Sequence, residues 1–290
     1  MTDALARAFE TLPGIPRAVY RPADFLAVRD IAYRAAGIVL APGKAMLVYS
    51  RLAPLVRETG AMTFEAYIAR IAGDEAERRR AVGALTTNYT FFFREAHHFA
   101  HLAQEVRPAL VEAAGRGAPV RIWSAGCASG EECWSIVMTL LGTDRRAGEA
   151  LAARDARVLA TDIDDHALAA AEAARYRRDS IAAVPAGLRR AWLGEEGDAA
   201  IVGDAARAIA RFLPLNLLGD WPMRRAFDVI FCRNVMIYFD HPTRERLVLR
   251  FAQLLRPGGH LYIGHSERVT GPAADLLTSV GQTVYRRGAA

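Results

Sequence analysis

After Pro119 the chain alternates short apolar runs with apolar-periodic segments, and this alternation limits the fold more than any other feature. VRIWSA (120–125), ARVLATDI (156–163), FDVIFC (227–232) and HLYIG (260–264) read as buried strands, and QTVYRR (282–287) as the last strand. Helical patterns lie between them, over about 131–141, 165–174 and 243–255. Apolar runs with no polar face are covered on both sides, which predicts an α/β fold with a parallel sheet between helices. Residues 176–215 break the alternation and predict a small β-rich insertion of short antiparallel strands.

The segment ahead of this region has a different grammar. Residues 1–23, with Pro13, Pro16 and Pro22, read as a loose leader. Residues 24–83 carry three apolar stripes at helical spacing, among them Phe25, Val28 and Ile31, then Val48, Leu52 and Leu55, then Phe64, Tyr67 and Ile71. This predicts an all-α N-terminal domain. Residues 84–117 form a linker whose aromatic-polar stretch precedes a helix, and residues 118–290 form the α/β domain.

At 52% hydrophobic and 24% charged, the chain has enough apolar material for a sizeable core, which excludes a disordered chain. The net charge of +5 comes almost wholly from arginine, with Lys44 the only lysine, and no run of five or six basic residues points to nucleic acid. Cys127, Cys133 and Cys232 lack the spacing of a disulfide scaffold or a structural zinc site. No signal peptide and no apolar run of about 18 residues is visible, so a cytoplasmic protein without membrane insertion is expected.

Two features at strand ends carry chemistry. Gly126-Cys127-Ala128-Ser129-Gly130-Glu131-Glu132 follows the first strand and opens a helix, where glycines let a ligand approach the backbone. Neither the phosphate-binding GxxxxGK[ST] nor the dinucleotide GxGxxG is present. Asp162 ends the second strand, where an acid commonly grips ribose hydroxyls; its plain alternative is a helix cap, the reading given to Asp164 and Asp165. Together they describe a nucleoside-binding half-sheet, and the missing GxGxxG shifts weight from dinucleotides to S-adenosylmethionine.

A third segment is specific. TNYTFFFREAHHF (87–99), with GCASGEE (126–132), TDID (161–164), NLL (216–218), CRNVMIYF (232–239) and LRPGGHLYIGHSE (255–267), resembles the ordered motif set of the CheR chemotaxis-receptor methyltransferases. The resemblance covers roughly residues 20–287 and implies a Rossmann-like class I S-adenosylmethionine-dependent methyltransferase behind an all-α domain. It implies cofactor contacts at Asn88, Thr90, Arg94, Glu132, Asp162, Asn216, Leu217, Cys232 and Arg233, and a metal-free methyl transfer to receptor glutamates that leaves S-adenosylhomocysteine. Arg94 and Tyr238 are the candidates for holding the incoming carboxylate. Arg51 and Arg57 are the candidates for substrate binding, and the implied partner is the cytoplasmic helical bundle of the receptors, met by a monomer.

Each of these residues has a plainer alternative. Asn216 and Arg233 could serve as turn and cap residues, Arg94 as a surface ion pair with Glu95 or Glu105, and Tyr238 as a core ring. His97, His98 and His101 suggest a metal, but they form no HExxH pattern and are read as local packing or hydrogen-bonding residues. Two departures stand out: Cys133-Trp134 where the family has Pro-Tyr, and Pro54-Leu55 in a segment that is richer in arginine in the family. The competing functions are a methyltransferase for another acceptor such as RNA, and a non-catalytic S-adenosylmethionine-binding module.

Overall fold

Proline, glycine and short polar residues delimit the N-terminal helices. The structure, a computed structural model, describes residues 5, 7–9 and 14–289. Helix α1 (Pro22–Ala36) starts on a proline, whose missing N–H is no loss in a first turn, and ends at Gly37 with φ 66°. Helix α2 (Ala45–Glu58) follows, then α3 (Phe64–Gly73), capped by Thr63, and α4 (Glu75–Leu85), capped by Asp74. The three apolar stripes close into one core holding Phe25, Val28, Val48, Leu52, Phe64, Tyr67 and Ile71.

Two expectations for this unit change. The leader lies partly outside the described residues, but Leu5, Phe9 and Tyr20 are buried in the same core, and the Tyr20 hydroxyl donates to the Ala45 carbonyl at 3.2 Å. Apolar side chains hold these described residues in place. Pro54 lies inside α2 without ending it. Arg51 and Arg57 are both exposed on that helix, and among the described residues neither has an ion-pair partner. Arg78, Arg79 and Arg80 pair with Glu75, Glu77 and Glu58, as a solvated helix face should.

The second unit begins at Asn88. Helix α5 (Ala96–His101) runs through a π-helical turn (Leu102–Val106) into α6 (Arg107–Gly115). Then come β1 (Val120–Ala125), α7 (Glu131–Leu141), α8 (Arg145–Ala152), β2 (Ala156–Asp162) and α9 (Asp165–Ala173). Strands β3 (Arg175–Arg177), β4 (Leu193–Glu196) and β5 (Ala199–Val202), with α10 (Ala186–Trp192) between β3 and β4, make a separate antiparallel sheet in the order β3-β5-β4. Helix α11 (Asp204–Ile209), β6 (Ala210–Pro214), β7 (Phe227–Cys232), α12 (His241–Leu254), β8 (Leu255–Ile263), β9 (Leu277–Gly281) and β10 (Val284–Arg287) complete the chain.

The main sheet has the order β6-β2-β1-β7-β8-β10-β9. Strands β6, β2, β1, β7 and β8 are parallel, with Val120 opposite Ala156 and Ile122 opposite Val229, while β10 and β9 close one edge antiparallel. Trp123, Trp134, Phe231 and Tyr262 are fully buried around it.

Three boundaries are corrected. ARFLPL was assigned to the insertion, but Ala210–Pro214 pairs with β2 and is an edge strand of the main sheet; its apolar residues satisfy a parallel neighbour. The insertion sheet therefore ends at Val202. Strand β8 starts at Leu255 rather than after the glycines, because the Pro257-Gly258-Gly259 bend is absorbed as a register shift against β7. Strand β9 was not foreseen; LTSVG carries little apolar periodicity and is held by β10.

Candidate functional site

Parallel strands share a carboxyl edge, so the residues that end β2, β1, β7 and β6 emerge on one side of the sheet. The order reverses at β1, with β2 on one flank and β7 on the other, which is where open α/β sheets bind ligands. The glycine turn, Asp162, the Cys232–Arg233 strand end and Asn216 all lie at this edge.

The glycine turn is tied to the end of β2. Gly126 N and Cys127 N both donate to the Thr161 carbonyl, at 2.7 and 3.0 Å. Gly126 has φ 87°, and a Cβ there would lie 2.4 Å from Val235 Cγ2, so the position needs glycine on both counts. Asp162 is buried, and its Oδ2 accepts from Ala128 N at 2.8 Å. The acid and the turn therefore form one unit, and Asp162 braces the loop it was expected to accompany. Tyr176, which the sequence did not single out, donates its hydroxyl to the Ser129 carbonyl at 2.7 Å.

Behind the turn lies a buried ionic network. Glu132 accepts from Ser124 Oγ at 2.8 Å through Oε1 and meets Arg233 Nη1 at 3.1 Å through Oε2. Burial raises the Glu132 carboxyl above its usual range, against the opposing pull of Arg233 and Ser124. Arg233 Nη2 also donates to the Arg94 carbonyl and lies 3.5 Å from Glu95 Oε2. Glu132 and Arg233, expected separately as ligand contacts, are thus each other's partners.

The remaining candidates are placed as follows. Asn88 and Thr90 are half-buried. Arg94 Nη1 donates to the Tyr89 carbonyl at 2.8 Å, and the guanidinium sits 5.9 Å from the ring centres of both Tyr89 and Phe91. Neither Glu95 nor Glu105 pairs with it, so the surface ion-pair alternative is not the one realised. Asn216 Oδ1 accepts from Leu218 N at 3.0 Å, and the buried Leu217 presents its carbonyl to Trp221 Nε1 and Arg250 Nη1. The thiol of Cys232 is sealed in the core, and burial pushes its pKa well up. Tyr238 groups with the helical unit, where its hydroxyl donates to the Thr87 carbonyl at 3.2 Å and its own carbonyl accepts from Val39 N.

Sequence reasoning missed two carboxylates. Glu267 is buried and accepts from Gly264 N at 2.6 Å, Met236 N at 2.9 Å and Asn234 N at 3.3 Å, which pins the turn after β7. Its only trace in the sequence is the acid that ends GHSE. Glu95 bonds His265 through Oε1 and faces Arg233 through Oε2. Of the three histidines, His98 Nε2 lies 2.8 Å from Thr283 Oγ1 and His101 Nδ1 2.8 Å from the Tyr262 hydroxyl, partners 185 and 161 residues away in the chain, while His97 Nε2 is buried without a hydrogen-bond partner among the described residues.

The chemistry of this donor set fits S-adenosylmethionine. A carboxylate at the end of β2 suits a ribose diol, a glycine turn admits a ligand to the backbone, and the acids around it suit a cation better than a pyrophosphate.

Comparison with known proteins agrees. Residues 88–286 match the family described as CheR methyltransferase, SAM binding domain, and residues 23–86 match CheR methyltransferase, all-alpha domain. A Rhizobium etli protein named "Probable chemotaxis protein methyltransferase" is 44% identical over 260 residues, which is 88% of this chain and 96% of that protein. "Chemotaxis protein methyltransferase 2" of Pseudomonas aeruginosa is 42% identical, covering 92% of this chain and 93% of its own. "Chemotaxis protein methyltransferase" of Klebsiella aerogenes is 40% identical, covering 98% and 93%.

Proposed function

Because this chain belongs to the CheR methyltransferase family, we propose that it methylates glutamate side chains of chemotaxis receptors from S-adenosylmethionine, as a protein-glutamate O-methyltransferase. The observation that carries this reading is the convergence of the glycine turn, Asp162 and the Glu132–Arg233 pair at the carboxyl edge of β1, β2 and β7. The relatives' shared description as chemotaxis methyltransferases supports the choice of receptor acceptors.

S-adenosylmethionine supplies an electrophilic methyl group on a sulfonium: a glutamate γ-oxygen takes it, the carbon–sulfur bond breaks with its electrons passing to sulfur, and S-adenosylhomocysteine leaves. A glutamate with pKa about 4.3 is already ionised at neutral pH, so the protein supplies no general base. Its task is to place an oxygen about 3–3.5 Å from the methyl carbon and to exclude water. Arg94, as a charged donor, and Tyr238, as a neutral one, orient the carboxylate. Asn88, Thr90, Arg94, Glu132, Asp162, Asn216, Leu217 and the Cys232–Arg233 strand end form the cofactor site. The helical unit, through Arg51 and Arg57, meets the acidic helical bundle of the receptor's cytoplasmic part, and the enzyme acts in the cytoplasm as a monomer.

Mass spectrometry of receptor cytoplasmic fragments, after incubation with enzyme and S-adenosylmethionine, tests this reading. A base-labile gain of one methylene on glutamate is the expected result. Transfer to RNA with none to receptor fragments, or cofactor binding with no transfer to either, would replace it with one of the two competing functions.

A further inference from the structure

Three polar side chains converge beside the Arg233 network. Glu95, His97 and His98 each offer one possible ligand atom, and these atoms lie within 4.8 Å of one another. Glu95 Oε2, His97 Nε2 and His98 Nδ1 are buried, and none has a hydrogen-bond partner among the described residues. His98 is fully buried, and its Nδ1 is 3.6 Å from Glu95 Oε2.

His98 Nε2 lies 2.8 Å from Thr283 Oγ1 and 3.3 Å from the Gln282 carbonyl. With its proton on Nε2, where it bonds that carbonyl, a neutral His98 ring turns a bare Nδ1 towards Glu95. Oε1 of Glu95 is already bonded to His265, so Oε2, shared with Arg233, faces the cluster. The ring of His97 packs on His98 at 4.1 Å, and the tautomer with a bare Nε2 presents a third lone pair. In that protonation state a water molecule has two hydrogens and satisfies two of the three acceptors, whereas a cation satisfies all three.

We propose that Glu95, His97 and His98 form a binding site for a divalent transition-metal ion such as Zn²⁺. Two imidazole nitrogens and one carboxylate oxygen select zinc and its neighbours over magnesium or calcium. Tetrahedral zinc with bonds of about 2.0–2.1 Å sets ligand atoms about 3.3–3.4 Å apart, close to the separation of His98 and Glu95. Glu95 has φ 58° at the position just before α5, which carries His97 and His98. Arg233 Nη2, 3.5 Å from Oε2, shares this oxygen and weakens the site. The ion is therefore exchangeable, and the three ligands leave a fourth position for water. This assignment leaves the proposed methyl transfer as it stands, because that reading asks no residue to hold a metal.

The test is a titration of the full chain with Zn²⁺ against a chromophoric chelator of known affinity. Wild type should take up one ion with a dissociation constant below about 10 µM. His97→Phe keeps the ring against His98 and removes the nitrogen; it should weaken binding at least about tenfold while its thermal midpoint stays near wild type. Glu95→Gln should weaken binding as well. His241→Gln, which alters an exposed histidine elsewhere, should bind as wild type does. Equal binding by wild type and His97→Phe, loss of binding in His241→Gln, or no uptake by wild type at about 100 µM Zn²⁺ would each overturn the assignment.

Discussion

Arg233, the residue after β7, sets its Nη1 3.1 Å from Glu132 Oε2 in the first turn of α7, across a separation of 101 residues in the chain. The contact ties the loop after β1 to the loop after β7 at the point where the strand order reverses. Both side chains are buried, so each depends on the other for its charge to be tolerated.

Breaking that pair from one side should therefore be costly. Arg233→Met leaves Glu132 buried with Ser124 as its remaining hydrogen-bond partner among the described residues, and the expected loss is about 3–5 kcal/mol in urea unfolding. The double change Arg233→Met with Glu132→Leu should regain part of it, because the buried Glu132 charge is gone, while Glu95 still lacks Arg233. A single variant as stable as wild type would mean that the pair is not formed in solution.

Asp162→Ala should weaken S-adenosylhomocysteine binding by roughly 10–150-fold, the worth of about 1.5–3 kcal/mol for a charge-assisted hydrogen bond. The bond from Ala128 N to Asp162 makes the glycine turn a second casualty of the same change. Calorimetry reads the affinity, and an unchanged value would remove Asp162 from the cofactor site.

Arg51 and Arg57 are exposed and have no carboxylate partner among the described residues, which leaves their charge available to an acidic surface. Arg51→Ala with Arg57→Ala should raise the KM for receptor fragments and flatten its salt dependence, with S-adenosylmethionine affinity unchanged. Steady-state kinetics at two salt concentrations decide this. Identical behaviour of the double variant and wild type would move receptor recognition elsewhere, first to the β3-β5-β4 sheet.

Chelation should leave methyl transfer intact, because ionised glutamate needs no Lewis acid. Turnover measured after dialysis against EDTA should equal that of the untreated enzyme. A loss that zinc or magnesium restores would contradict the metal-free step.

His260 adds a pH dependence to stability. Burial lowers its pKa to about 4, helped by the neighbouring His101 and Arg286, while the unfolded chain keeps about 6.5. Between these values the unfolded state binds the extra proton, so stability falls as the pH drops from about 6.5 towards 4. His260→Gln should flatten the slope of the thermal midpoint across that range. If the slope is unchanged, other groups set it.

The strands β1, β2 and β7 were legible in the sequence because a fully buried parallel strand has to be a short continuous apolar run, and 120–125, 156–162 and 227–232 are such runs. The glycine turn and Asp162 were legible for a related reason: backbone at φ 87° against Val235 requires glycine, and an acid closing a strand leaves a visible mark. Pairing was not legible. Ala210–Pro214 has the composition of an insertion strand, and only the open edge of β2 draws it into the main sheet. The partnership of Glu132 with Arg233, the three backbone donors around Glu267 and the approach of Glu95 to both His98 and Arg233 bring together residues that are distant in the chain or depend on distant groups. Local sequence sets backbone conformation and which residues are buried, whereas the partner that a buried charge meets is fixed only when the strands are in register.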